Sequence, residues 1–268
     1  MSMFRFSPES AGVRSARLLM CLICLFMFLA LQTMADDGQT NTAIARIETN
    51  FAGVRNRFEN ETTNTVVAWQ FGRACYDMST LQKDPSRQAK IAEQGIAACR
   101  LSLRSNSVQA HYYLGMDLSQ LADAKHNFSA LHLAKDIERE FLAARALDEH
   151  FDYAGPDRNL GLLYRETPTI ISIGSRTKAR QHLEEAVKLA PDLPENRLNL
   201  LESYIRWGYH TEATRELKEL ERIWPAATKT FTGDEWALSW WEWNKRLAGV
   251  QKKLEEAPKP SESPHAAP

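Results

Sequence analysis

Three residues near the C-terminal end of the chain recur at one fixed interval. Ala179, Leu183 and Pro191 return as Ala213, Leu217 and Pro225, each 34 residues on. Ahead of them, Leu160-Gly161-x-x-Tyr164 is matched 40 residues later by Leu200-Leu201-x-x-Tyr204. Self-similarity at a fixed period constrains a fold more than composition does, because each unit buries its apolar face only by stacking on its neighbours. A unit of this length reads as a helical hairpin in which small residues let two helices approach and larger apolar ones fill the seam. The mismatch between the two offsets places six additional residues between Tyr164 and Ala179. They fall around "PTIISIGS", residues 168–175, which is apolar and β-branched, unlike either flank.

The pattern L-G-x-x-Y, then A-x-x-x-L, then Pro, at a period of 34, resembles the tetratricopeptide signature. It persists upstream as Leu114-Gly115-x-x-Leu118 and Phe71-Gly72-x-x-Cys75, with Gly-to-Gly spacings of 43 and 46. The surplus over 34 is expected between the A and B helices of each early repeat, gathering extra length along one edge. Asp84-Pro85-Ser86 and Ser175 read as helix starts, and Gly208 as an inter-helix turn that takes positive φ. Ile44, Ile47, Phe51, Val54 and Phe58 form one helical face ahead of the repeats, and Trp236, Trp240, Trp243 and Leu247 form another behind them, with Thr232 as the expected N-cap. The fold class is therefore all-α, a right-handed helical-hairpin solenoid with a capping helix at each end. Its divisions are a signal peptide at 1–35, an N-terminal capping helix at 36–63, about four repeats at 64–227, a Trp-rich capping helix at 228–256 and a disordered Pro-rich tail at 257–268.

Residues 1–35 carry Arg5, Arg14 and Arg17, then fourteen apolar residues from Leu18 to Leu31, then Thr33-Met34-Ala35. This is the layout of a secretory signal peptide, with an uncleaved anchor as the alternative. Fourteen apolar residues are fewer than the roughly 20 that span a bilayer, so no stable span is expected after cleavage. Without that segment the chain holds 30 basic and 33 acidic residues. The balance and the absence of a basic run exclude the footprint of a nucleic-acid binder. Cys75 and Cys99 remain. They are read as two small buried thiols, and export leaves a disulfide open.

No catalytic set and no metal or other cofactor is expected. The chain lacks H-E-x-x-H, G-x-S-x-G and a phosphate loop, and His126 and His132 are too far apart to share a helix face. What remains is shape. In an array of this kind the A helices line a concave groove. With Val108, Ala154 and Pro194 as first positions, the groove set is Gln109, Tyr112, Met116 and Gln120, then Arg158, Leu162 and Arg165, then Leu198, Glu202 and Arg206. Ile170, Ile171 and Ile173 of the insertion are the candidates for an interface, either folding back on the second repeat or meeting another protein.

The blocks "WQFGRACYD", "FDYAGPDRNLGLLYRETP" and "SIGSRTKARQHLEEAVKLAPD" resemble bacterial exported tetratricopeptide proteins grouped with the T-component of TRAP (tripartite ATP-independent periplasmic) transporters. The resemblance covers residues 60 to 250. It implies a periplasmic, non-enzymatic protein whose partner is a solute-binding protein, with homo-oligomerisation also open. The alternative reading is a carrier that holds a small molecule in a pocket between the helices.

Overall fold

The computed structural model describes residue 38 and residues 40–125 and 128–256. The expected signal segment and tail, and His126, lie outside them. Among the described residues the chain is all-α. Helix α1 occupies 40–60. Four hairpins follow: α2 (Thr65–Thr80) with α3 (Pro85–Ser102), α4 (Val108–Lys125) with α5 (Phe128–Leu147), α6 (Phe151–Glu166) with α7 (Arg176–Leu189), and α8 (Pro194–Trp207) with α9 (His210–Thr230). A 3-10 turn, Asp234–Trp236, leads into α10 (Ala237–Glu256). Thr232, the expected cap, precedes that turn, and Gly233 with φ 96° stands at its start instead.

Local chemistry sets the boundaries. Asn64 caps α2 by accepting from the N–H groups of Val66 and Val67, and Asp84 caps α3 ahead of Pro85. Ser175 accepts from the Lys178 N–H at the start of α7. Gly208 ends α8 at φ 78° and its N–H reaches the last carbonyls of the helix.

The A and B helices meet where the glycines leave room. A Cβ on Gly161 would lie 2.6 Å from Leu183 Cγ, and one on Gly115 would lie 2.7 Å from the Phe141 ring. These partners anchor the core. Phe141 and Leu160 pack with Tyr112 and Leu118, while Leu183 packs with Leu198, Leu201, Leu220 and Trp243. In the fourth hairpin Leu201 stands at the glycine position and is fully buried. The terminal faces are used as well. Phe51 and Phe58 of α1 stack near Phe71, and Trp240 of α10 meets Trp224 of α9 edge-on.

The surplus length of the early repeats is not gathered along one edge. α2 and α3 are separated only by residues 81–84, and α5 begins three residues after α4 ends. The additional residues instead lengthen the helices, to 18 in α3 and α4 and 20 in α5. Only the third repeat carries its insertion as a loop. There Gly174 lies against the Thr167 carbonyl too closely for any Cβ, and the Ser175 N–H donates to the Tyr164 carbonyl.

Asp117 of α4 is buried with no exposed surface. Among the described residues its Oδ1 has no hydrogen-bond partner, and Oδ2 faces the Cys99 thiol at 3.8 Å. Gly95 makes room for it, since a Cβ there would lie 2.3 Å from Oδ2. Burial, reinforced by the charge of Asp77, holds the Asp117 carboxyl well above the usual carboxylate range, against the opposing hydrogen bond from Cys99. Cys75 and Cys99 are both free and buried. Burial pushes their thiols up.

Candidate functional site: a chamber inside the solenoid

Helix α1 meets the turn that leads into α10. Arg46 of α1 donates to the backbone carbonyl of Asp234, 188 positions away, at 3.2 Å. Tyr153 at the start of α6 packs edge-on against Phe231 and Trp236. Between these elements the concave face forms a half-open chamber of about 900 Å³, walled by α1, the A helices and the α10 region. The sequence assigns the terminal helices only to the ends of the stack. They also form the chamber's walls, through Arg46, Ile47, Asn50, Val54 and Arg57 on one side and Trp236, Leu238, Ser239 and Glu242 on the other.

One polar cluster on the chamber wall begins with backbone strain. Asp152, Tyr153 and Ala154 all take left-handed angles, with φ of 51°, 54° and 62°. Ala154, read from the sequence as the first position of its repeat, therefore precedes the right-handed part of α6. Left-handed geometry costs about 1–2 kcal/mol for each residue with a Cβ. Arg158 offsets this cost. Its guanidinium donates to the carbonyls of Asp152 and Tyr153, to Asn196 Oδ1 and to the Asp152 carboxylate. Asn196 also donates to the Tyr153 carbonyl, and the Tyr112 hydroxyl donates to Asp152 at 2.5 Å. Burial opposes the Arg158 charge, but Glu195, Tyr112 and Asp152 outweigh it and raise its pKa. The Tyr112 phenol is raised, by burial first and by Asp152 second.

Across from this cluster, α2 presents Trp69, Gln70, Arg73, Tyr76 and Asp77 to the chamber. The nearest cation to the Asp77 carboxylate is Arg73, at 3.9 Å. Burial pushes Asp77 up to about 6, with Arg73 and Arg46 opposing and Asp152 adding to the rise. The Tyr76 phenol is raised by burial and then by Glu195, Asp77 and Asp152.

Of the groove residues read from the sequence, Tyr112, Met116, Arg158 and Leu162 line the chamber. The others lie elsewhere. Gln120 accepts from Gln88, Arg165 donates to Ser203 and Asn199, and Arg206 pairs with Glu166. Glu202 pairs with Arg246 of α10, Leu198 is fully buried, and Gln109 is half-buried at the start of α4. The sequence reading missed Asp77, Asp152, Glu195 and the α1 residues. The α2 members were reachable. With Gly72 aligned to Gly115, the same register selects Trp69, Arg73, Tyr76 and Asp77, which line the chamber, and Val66, which is exposed outside it.

The insertion divides. Ile173 packs against the core beside Tyr164, while Ile170 and Ile171 are 94% and 61% exposed.

No family model matches the chain, and no curated protein matches it in sequence. Among solved structures it is similar to a thermophilic TPR protein of Thermus thermophilus. The two share 14% identity and a TM-score of 0.55, over 80% of this chain and 94% of the other. The likeness establishes the tetratricopeptide-like helical solenoid as the fold. No helix among the described residues is long and apolar enough to cross a membrane.

Proposed function

We propose that the chain is an exported, non-enzymatic protein-interaction module, serving a TRAP-type uptake system as its accessory component and binding a periplasmic solute-binding protein. The observation that carries the interaction reading is the pair Ile170 and Ile171. Two large aliphatic side chains stand in solvent on a loop held by the Gly174 approach, the Ser175–Tyr164 hydrogen bond and the buried side of Ile173. Covering them gains apolar burial, at about 25 cal/mol per Å², with little ordering cost because the loop is already held. Export is supported by the sequence of residues 1–35, and the transporter role by the resemblance of residues 60–250.

The test is affinity capture from periplasmic extract with the wild-type chain and an Ile170→Asp/Ile171→Asp variant. The wild type captures a solute-binding protein; the variant keeps its urea midpoint and loses the capture. Equal capture by both excludes the loop, and no capture by the wild type, where a control module succeeds, removes the interaction reading.

One observation favours a second reading, that of a small-molecule carrier. A chamber of about 900 Å³ falls within the roughly 300–1,000 Å³ of ordinary ligand sites, and its wall mixes aromatic rings with convergent polar groups.

A further inference from the structure

We propose that the chamber binds a small organic cation whose ammonium groups are taken by the carboxylates of Asp77 and Glu195 on its wall. This rests on the carrier reading and names the chemical class of its ligand.

The inference comes from what the wall leaves unmet. No donor among the described residues hydrogen-bonds to the Asp77 carboxylate, whose nearest cation is 3.9 Å away and whose side chain keeps 32% of its surface. Glu195 is in the same condition, with Arg158 Nε at 3.9 Å. The buried Oε1 of Gln70, on the same wall, also lacks a partner. All three are acceptors, and an ammonium group supplies three donors and no acceptor.

Of the wall's four cations, two are hydrogen-bonded within the protein and two stand in looser ion pairs. Arg158 is bonded to Asp152 and Asn196, and Arg46 to the Asp234 carbonyl. Arg57 faces Glu61, and Arg73 lies between Asp77 and the Tyr113 ring. Among the described residues the wall carries six carboxylates against four guanidiniums, so an anionic ligand would enter a site of net negative charge. The rings of Trp69, Tyr76, Tyr113 and Trp236 complete the fit. They offer apolar area to the carbon chain that carries the cation.

Three probes of equal length separate the end groups: 1,5-diaminopentane, pentane-1,5-diol and glutarate, with octanoate as an apolar anion. Binding is measured by calorimetry on the full chain. The diamine is expected to bind saturably and at least tenfold more tightly than the diol or glutarate. Asp77→Asn and Glu195→Gln, each checked for an unchanged urea midpoint, are expected to weaken it roughly tenfold or more, as for a lost charge-assisted hydrogen bond. The proposal is overturned if both variants bind the diamine as the wild type does, or if the diol matches it. It is also overturned if glutarate or octanoate binds and the diamine does not, in which case the carrier reading survives. If none of the four binds, the carrier reading falls with it.

Discussion

Replacing Gly161 by alanine sets two opposing contributions against each other. In a helix interior alanine is favoured over glycine by about 0.8–1.0 kcal/mol, so an exposed, open site would gain stability. Gly161 is not open. Its Cβ would stand 2.6 Å from Leu183 Cγ, 2.8 Å from Cδ2 and 3.1 Å from the Leu183 backbone nitrogen. Carbon atoms prefer about 3.5–4.0 Å, so α6 and α7 must part by roughly an ångström. Leu183 has no exposed surface into which to turn. Overpacking of this kind costs about 1–3 kcal/mol. With the backbone nitrogen also in the way, the upper half of that range applies, leaving a net loss of about 1–2 kcal/mol after the propensity gain. Gly249 is the control. It lies in α10 with nothing within 4 Å of its Cβ, so Gly249→Ala should stabilise by about 0.5–1 kcal/mol. Urea midpoints at unchanged slope read both effects. In a Leu183→Ala background the Cγ and Cδ2 contacts are gone and only the backbone nitrogen at 3.1 Å remains, so most of the loss should disappear. If Gly161→Ala instead stabilises the wild-type background as Gly249→Ala does, the helices do not approach as described, and the hairpin packing is wrong.

Two further changes probe buried polar groups. Asp117 holds its proton in the folded chain beyond the pH at which an unfolded aspartate, near 3.9, has released it. The folded state therefore binds more protons, and stability falls as pH rises from about 4, by up to roughly 1.4 kcal/mol per unit, until the folded carboxyl ionises. The stability difference between wild type and Asp117→Asn should carry this slope, while a difference independent of pH from 4 to 8 would show that Asp117 is not held protonated. Arg158→Met should cost about 3 kcal/mol by leaving buried acceptors and a strained turn without their donor. Arg158→Lys should recover little, because one ammonium cannot reach acceptors spread over Asp152, Tyr153 and Asn196; recovery to the wild-type midpoint would contradict the pinning role.

The hairpins were legible because their signals are local and periodic. Ala179, Leu183 and Pro191 recur at 213, 217 and 225, Ser175 caps α7, and Gly208 takes positive φ. Helix length was not legible in the same way. Lengthening α3 by a turn and lengthening a loop by four residues leave the same Gly-to-Gly spacing. The left-handed turn at Asp152, Tyr153 and Ala154 carries no glycine or asparagine to announce it, since Arg158, Tyr112 and Asn196 stabilise it from outside the turn. The chamber was half legible. Groove register selects Tyr112, Met116, Arg158 and Leu162, but no spacing shows that α1 and the α10 region close over them.

That closure can be tested directly. With Cys21 and Cys24 replaced by serine, Arg46→Cys and Asp234→Cys place accessible thiols at the contact, because Cys75 and Cys99 are buried. In a dilute sample of this variant, a short bismaleimide should link the two positions within one molecule, in most chains, and the link should vanish in urea. Links formed only between molecules, or none under native conditions, would mean that the solenoid is open and that no chamber exists.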